Sequence, residues 1–190
     1  MPDGLEYLTG KDMENYLFDM AIAQRWAYKN RFAIAVAIIR GMEWYVSGVT
    51  ESIHNYIQDG IIRKGAIDAG LNVPVIIPLN MRDGFILGVG KGNADWNFSA
   101  PHGAGRIMSR SKAFKTLSMD DFTSSMEGIH TTSISQGTLD EAPMAYKPAQ
   151  SIIDAIQQTV EIKDIIRPVY NFKAPESRGR GKITHEPQQL

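Results

Sequence analysis

Residues 11–40 carry an unbroken helical pattern, and that stretch limits the fold more than any other part of the chain. Met13, Leu17, Met20, Gln24, Ala27 and Arg31 form a mixed stripe at helical spacing, and Ile34, Ala35 and Ile38 continue it as apolar. Thr9, with Asp12 three residues on, has the spacing of a capping box, with Asp in place of the usual Glu. Arg40-Gly41 supplies a terminal cation and a C-cap glycine. At about 1.5 Å per residue this helix is roughly 45 Å long. It is too long for one small core, so it is expected to pack against more than one neighbour.

The remainder alternates short apolar runs with Pro, Gly, Asn and Asp, which predicts an α+β protein with mixed β-sheet layers behind a long N-terminal helix. A second short helix is expected within 42–58. Residues 73–77 and 84–89 read as buried strands. Helices are predicted over 105–117 and 119–127, the latter capped by Ser118. The β-branched run 129–135 reads as a strand. Residues 148–160 read as a helix with Pro148 in its first turn and Ile152, Ile153, Ile156 and Val160 on its apolar face. Residues 165–172 read as a strand, which Pro168 confines to an edge or a bulge. Residues 1–173 are therefore taken as one folded unit. The polar stretch 174–190, rich in Pro and Gly, is taken as a disordered tail.

Composition excludes several classes of function. A 190-residue chain with 43% hydrophobic residues can bury a core without metals or disulfides. It has no cysteine, which rules out a disulfide framework, a zinc ribbon, a redox CxxC and a Cys nucleophile. Lys and Arg total 20 against 21 Asp and Glu, so the chain is not a polycation that coats nucleic acid, although a local basic patch is allowed. No apolar run approaches the roughly 18 residues that span a bilayer, and no signal-peptide pattern opens the chain. A cytoplasmic protein with no membrane partner is expected.

Of the four histidines, His185 lies in the polar tail and reads as solvated, and His130 opens a Thr/Ser-rich strand. His102 lies in Ser-Ala-Pro-His-Gly-Ala-Gly-Arg (99–106), just before a predicted helix. Its glycines allow close backbone approach to a ligand, Arg106 can fork onto a phosphate, and helix N–H groups favour anions. An imidazole there can act as acid, base, ligand or nucleophile toward phosphorus. The alternative is a loop histidine that caps a helix. His54, in Ser-Ile-His-Asn-Tyr (52–56), has no second metal ligand at i+3 or i+4 and on its own reads as a satisfied polar residue. Gly88-Val-Gly-Lys-Gly-Asn93 has neither Walker A spacing nor GxGxxG, and reads as a strand-end turn.

Together these segments resemble one family. His54-Asn-Tyr, Arg63-Lys-Gly-Ala66, Ile77-Pro78 with Met81, His102-Gly-Ala-Gly-Arg106 with Met108-Ser-Arg110, Asp140-Glu-Ala-Pro-Met-Ala-Tyr-Lys147 and the strand ending at Lys173 follow the order and spacing of the C-terminal half of RtcB-type tRNA-splicing ligases. Ala23, Gln24, Ala27, Asn30 and Arg31 resemble that family's long helix. The likeness covers about residues 5–173.

The resemblance implies an RNA ligase that uses GTP and Mn2+. In such enzymes the histidine matching His102 attacks the α-phosphate of GTP and becomes guanylylated. The GMP passes to an RNA 3′-phosphate, itself formed from a 2′,3′-cyclic phosphate, and a 5′-hydroxyl then displaces it. The RNA partner offers such ends as tRNA halves or cleaved RNA. By the same likeness His54 matches a manganese ligand, Arg106, Tyr146 and Lys173 match nucleotide contacts, and Pro78 and Met81 lie in a segment around the guanine. That segment departs from the family's Pro-Gly-Ser-Met-Gly, and Asn80 stands where the serine does. The family's other metal ligands, an Asp, a bridging Cys and two His, belong to an N-terminal half with no counterpart here. The chain is therefore expected to be a truncated or split half, inactive alone, with a separate N-terminal polypeptide as a possible partner. The alternative is a non-catalytic relative that binds RNA ends or guanine nucleotide.

Overall fold

A computed structural model describes residues 6–174; the tail expected at 174–190 lies outside them except for Ala174. Helix α1 runs Gly10–Gly41 without a break. Thr9 takes the extended N-cap conformation, but its side chain caps nothing, so the expected capping box does not form. Gly41 is the last helical residue and Met42 the cap, in right-handed geometry. One face of α1 meets the body: Met20, Gln24 and Ala27 line a shallow groove with Ile53, His54 and Tyr56, and Arg31 pairs with Glu51. Phe18, Ile22 and Trp26 recur every four residues on the opposite face and stay exposed. No residue of α1 is buried.

The helix expected within 42–58 is absent. Residues 43–55 are irregular, and the body begins with a hairpin of β1 (Tyr56–Gln58) and β2 (Ile61–Arg63). Asp59 and Gly60 form its two-residue turn with φ of 51° and 75°, the Asp-Gly chemistry that suits the twist of adjoining strands. Strand β3 (Ala66–Asp68) pairs antiparallel with β6 (Ser99–Pro101). Beside them lies an antiparallel sheet in the order β4 (Pro74–Pro78), β5 (Phe85–Gly90) and β8 (Val160–Ile166). Strand β7 (His130–Thr131) pairs in parallel with β9 (Tyr170–Asn171).

The central strand β5 alternates half-buried and buried residues, as a strand covered on one face does. A Cβ added at Gly90 would lie 2.2 Å from the Gly70 carbonyl oxygen and 2.3 Å from the backbone of Ala69. Gly90, the last residue of β5, and Gly92 just beyond it therefore admit neighbouring backbone, in line with a strand-end turn.

Two cores hold the body together. Val75, Ile77 and Ile86 of the sheet pack against Ile152 and Ile156 of α4 (Ala149–Ile156), with Val160 from β8 in the same cluster. Pro148 is the residue preceding α4 and not part of its first turn. The second core gathers Met81, Phe122, Met126, Leu139 and Ala142 around α3 (Met119–Ser125). Ser118 caps α3 as expected, accepting the Asp121 N–H. Helix α2 (Arg110–Thr116) starts five residues later than expected. The expected strand 165–172 is divided: β8 ends at Ile166, Pro168 lies in the gap, and β9 resumes at Tyr170. Proline cannot donate to a ladder.

Candidate functional site

A cavity of about 780 Å3 opens between the two cores. It is lined by His54, Pro78, Asn80, Met81, His102, Arg106, Tyr146 and Lys173. The residues that the family resemblance marked as site residues thus border one space, although the first and last are more than a hundred positions apart.

At one end the rings of His54 and His102 stack, with centroids 4.6 Å apart and planes 24° apart. Partial burial, then the neighbouring His102 ring, hold the His54 imidazole below its usual pKa, which favours its neutral, ligand-competent form. His102 directly follows β6. Its backbone N–H donates to the Gly65 carbonyl at 3.3 Å, and its Nδ1 lies 2.6 Å from the same oxygen. No helix begins there. Residues 105–107 are instead tied to 145–147 by an isolated antiparallel bridge, in which Ile107 N–H donates to the Ala145 carbonyl and Lys147 N–H to that of Gly105. The helix N-terminus expected beside His102 is therefore not available to an anion at that ring.

At the other end sits a charged cluster. Arg106 donates to the Asp140 carbonyl, to Tyr146 Oη at 3.2 Å and to Glu141 at 3.5 Å. Its guanidinium also lies 5.0 Å from the Tyr146 ring centroid, within cation–π range. Tyr146 Oη donates to Glu141 at 2.7 Å, and Lys173 Nζ lies 3.2 Å from the same carboxylate. Arg110 lies within 4 Å of both Asp140 and Glu141. Burial, then the bond to Glu141, push the Tyr146 phenol up to about 12, so it remains a donor at neutral pH. Burial alone would raise Glu141, but the bonds from Tyr146 and Lys173 outweigh it and hold this carboxylate below its usual range. Three cations face two carboxylates, which leaves the cluster with a net positive charge.

The wall between these ends is set by the backbone. Ala104 N–H donates to the Pro78 carbonyl at 2.9 Å. Asn171 Nδ2 donates to the Met81 carbonyl at 3.1 Å, and Ser133 Oγ accepts the Lys173 N–H at 2.7 Å. Asn80 uses its side chain within its own turn. Oδ1 accepts the N–H groups of Arg82 and Asp83, and Nδ2 donates to Asp83. Sequence reasoning gave no role to Glu141, Asp140 or Arg110, although all three lie in the motifs quoted above. The usable signal was adjacent acids in an otherwise uncharged stretch, Asp140-Glu141 before Ala-Pro-Met-Ala.

The donor set suits a phosphorylated nucleotide: guanidinium, ammonium and phenol groups converge on a cavity of adequate size with an imidazole at its edge. It does not suit a divalent metal by itself. Among the described residues no group of three or more His, Cys, Asp or Glu is placed to hold a metal ion. Nor is any helix among them long and apolar enough to cross a membrane.

Fold and cavity define an α+β protein whose cleft joins paired imidazoles to a cationic, phenol-bearing cluster. A family model described as tRNA-splicing ligase RtcB matches residues 5–174, and the chain belongs to the RtcB family. It is 30% identical over 202 residues to the RNA-splicing ligase RtcB of Escherichia coli K12, an alignment covering 91% of this chain and 49% of that protein. It is 32% identical over 182 residues to the tRNA-splicing ligase RtcB of Nanoarchaeum equitans, covering 75% of this chain and 38% of that protein. The chain spans about half the length of the Escherichia coli relative, or less than half for the archaeal one.

Proposed function

We propose that this chain forms the nucleophile-bearing half of an RtcB-type RNA ligase, acting in the cytoplasm on RNA with 3′-phosphate or 2′,3′-cyclic phosphate and 5′-hydroxyl ends. The observation that supports this best is the placement of His102 on the same cavity as Arg106, Tyr146 and Lys173. In this reading residues 1–173 correspond to the C-terminal half of the ligase.

GTP is the nucleotide substrate. The Nε2 lone pair of His102 attacks the α-phosphorus, a P–N bond forms and pyrophosphate leaves. An oxygen of the RNA 3′-phosphate then takes the GMP and restores the imidazole. The 5′-hydroxyl oxygen attacks the activated 3′-phosphorus, loses its proton, and GMP departs. Arg106 binds phosphate oxygens as charge develops on them. Tyr146, Lys173 and the loop of Pro78, Asn80 and Met81 hold the base and ribose. Manganese would neutralise charge on the triphosphate. Among the described residues His54 would serve as a ligand to it, and the remaining donors would come from an N-terminal half of the ligase.

The test is covalent labelling with GTP carrying a labelled α-phosphate, in the presence of manganese. The chain alone is expected to give no adduct. Mixed with the complementary half of a related ligase, it should give an adduct that His102→Ala abolishes. Strong labelling of the isolated chain would overturn the claim that the half is incomplete. The second reading is a non-catalytic binder of RNA ends or guanine nucleotide, which the cationic cluster of Arg106, Arg110 and Lys173 on the cavity would equally serve. That reading predicts GTP binding in titration but no labelling in the mixture.

A further inference from the structure

We propose that Asn55 is a positioning residue for His102, acting through Gly65. The proposal rests on the reading of His102 as the nucleophile. Asn55 adopts φ of 62°, in the left-handed region that asparagine tolerates better than most residues. That backbone sets its side chain across the connection between β2 and β3, where Oδ1 accepts the Gly65 N–H at 2.9 Å. The carbonyl of Gly65 in turn meets the His102 ring at Nδ1, 2.6 Å away.

A carbonyl oxygen can only accept. A contact this short therefore places the proton on Nδ1, and the neutral ring carries its lone pair on Nε2. Nucleophilic attack on phosphorus needs one ring nitrogen with a free lone pair, always the same one. The backbone contact decides which.

Gly65 is suited to the contact but cannot hold it alone. Its φ is 67°, and a Cβ there would touch His102 Cε1 and Nδ1 at 3.4 Å. Glycine makes that approach possible, yet it is the residue with the most backbone freedom. Strand β3 restrains the following residue, Ala66, through its pairing with Pro101. The Asn55 amide restrains the preceding side by capturing the N–H. These two restraints act with the His102 backbone N–H, which the same carbonyl accepts at 3.3 Å, to aim the carbonyl at the ring. The His54 ring, one residue before Asn55, lies against His102, so one short segment supplies both the stacked ring and the brace.

The experiment reads imidazole nitrogen resonances of the full chain labelled with nitrogen-15, together with amide exchange at Gly65. Wild type should show His102 protonated at Nδ1 with an unprotonated Nε2, and a slowly exchanging Gly65 amide. Asn55→Gly keeps the left-handed backbone and deletes the acceptor. It should lower the ratio of the Nδ1- to the Nε2-protonated form about fivefold and speed Gly65 exchange, with the remaining amide spectrum preserved. Asn55→Asp keeps the acceptor and should restore both signatures. The proposal is overturned by a wild-type His102 protonated at Nε2, by a freely exchanging Gly65 amide in wild type, or by Asn55→Gly retaining the wild-type tautomer. If Asn55→Gly fails to fold, wild type and Asn55→Asp decide the matter by the same signatures. The correct tautomer with no GMP transfer in any mixture would sink the nucleophile reading alone, whereas the wrong tautomer sinks the positioning role whatever the activity.

Discussion

Glu141 offers a direct test of the charged cluster. Glu141→Gln preserves size and removes the charge that Tyr146, Lys173 and Arg106 share, at 2.7, 3.2 and 3.5 Å. A hydrogen bond to a charged group is worth about 1.5–3 kcal/mol. Lys173 is 41% exposed along its side chain, so solvent screens its share, and a net loss of about 1–2 kcal/mol is expected at neutral pH. In a chain of this size each kcal/mol moves the melting temperature by about 2–4 °C, which predicts a fall of roughly 2–8 °C. The pH dependence carries the sharper information. The folded pKa of Glu141 lies below its ordinary value of 4.5. Its stabilisation is therefore complete above that value and lost as pH falls through the folded one. Thermal melts followed by circular dichroism should show wild type and variant separated at pH 7 and converging in acid. A gap that persists unchanged in acid, or no gap at neutral pH, would refute the account of the cluster.

Gly90→Ala drives a methyl group into the backbone of residues 69 and 70, which cannot step aside. Urea unfolding should show a loss of about 3 kcal/mol, the upper end of overpacking costs, and a wild-type midpoint would contradict the packing described. Trp26, 68% exposed on the outer face of α1, makes the opposite case. Trp26→Ser should leave the stability of the isolated chain within about 0.5 kcal/mol, and a large drop in melting temperature would mean that the outer face of α1 is already covered in solution.

How far the sequence could be read depended on the range of the forces involved. The long helix was legible within a residue at each end, because its pattern extends over many turns. So were β4, β5 and the Ser118 cap, each set by neighbours a few positions away. The start of α2 was not. Arg106 bridges to Tyr146, forty positions on, and that long-range pairing claims the segment ahead of α2. Residues 42–58 failed for a related reason: β1 forms only because β2 folds back on it across Asp59-Gly60. The site divided the same way. His102 and Arg106 stand out locally as a histidine and an arginine among glycines. The stacking of His54 on His102 joins residues nearly fifty positions apart and is visible only in three dimensions. Asn80, which stands where the family's serine does, folds its side chain into its own turn.

His54 borders two spaces at once. One side of its ring belongs to the large cavity, and the residue also lines the groove beneath α1 with Met20, Gln24 and Ala27. His54 is thus common to both linings, and its ring is the one that stacks on His102. Between the seat of α1 and His102 there stands one side chain. The helix and the cavity are neighbours through it, even though α1 contributes no residue to the cavity lining.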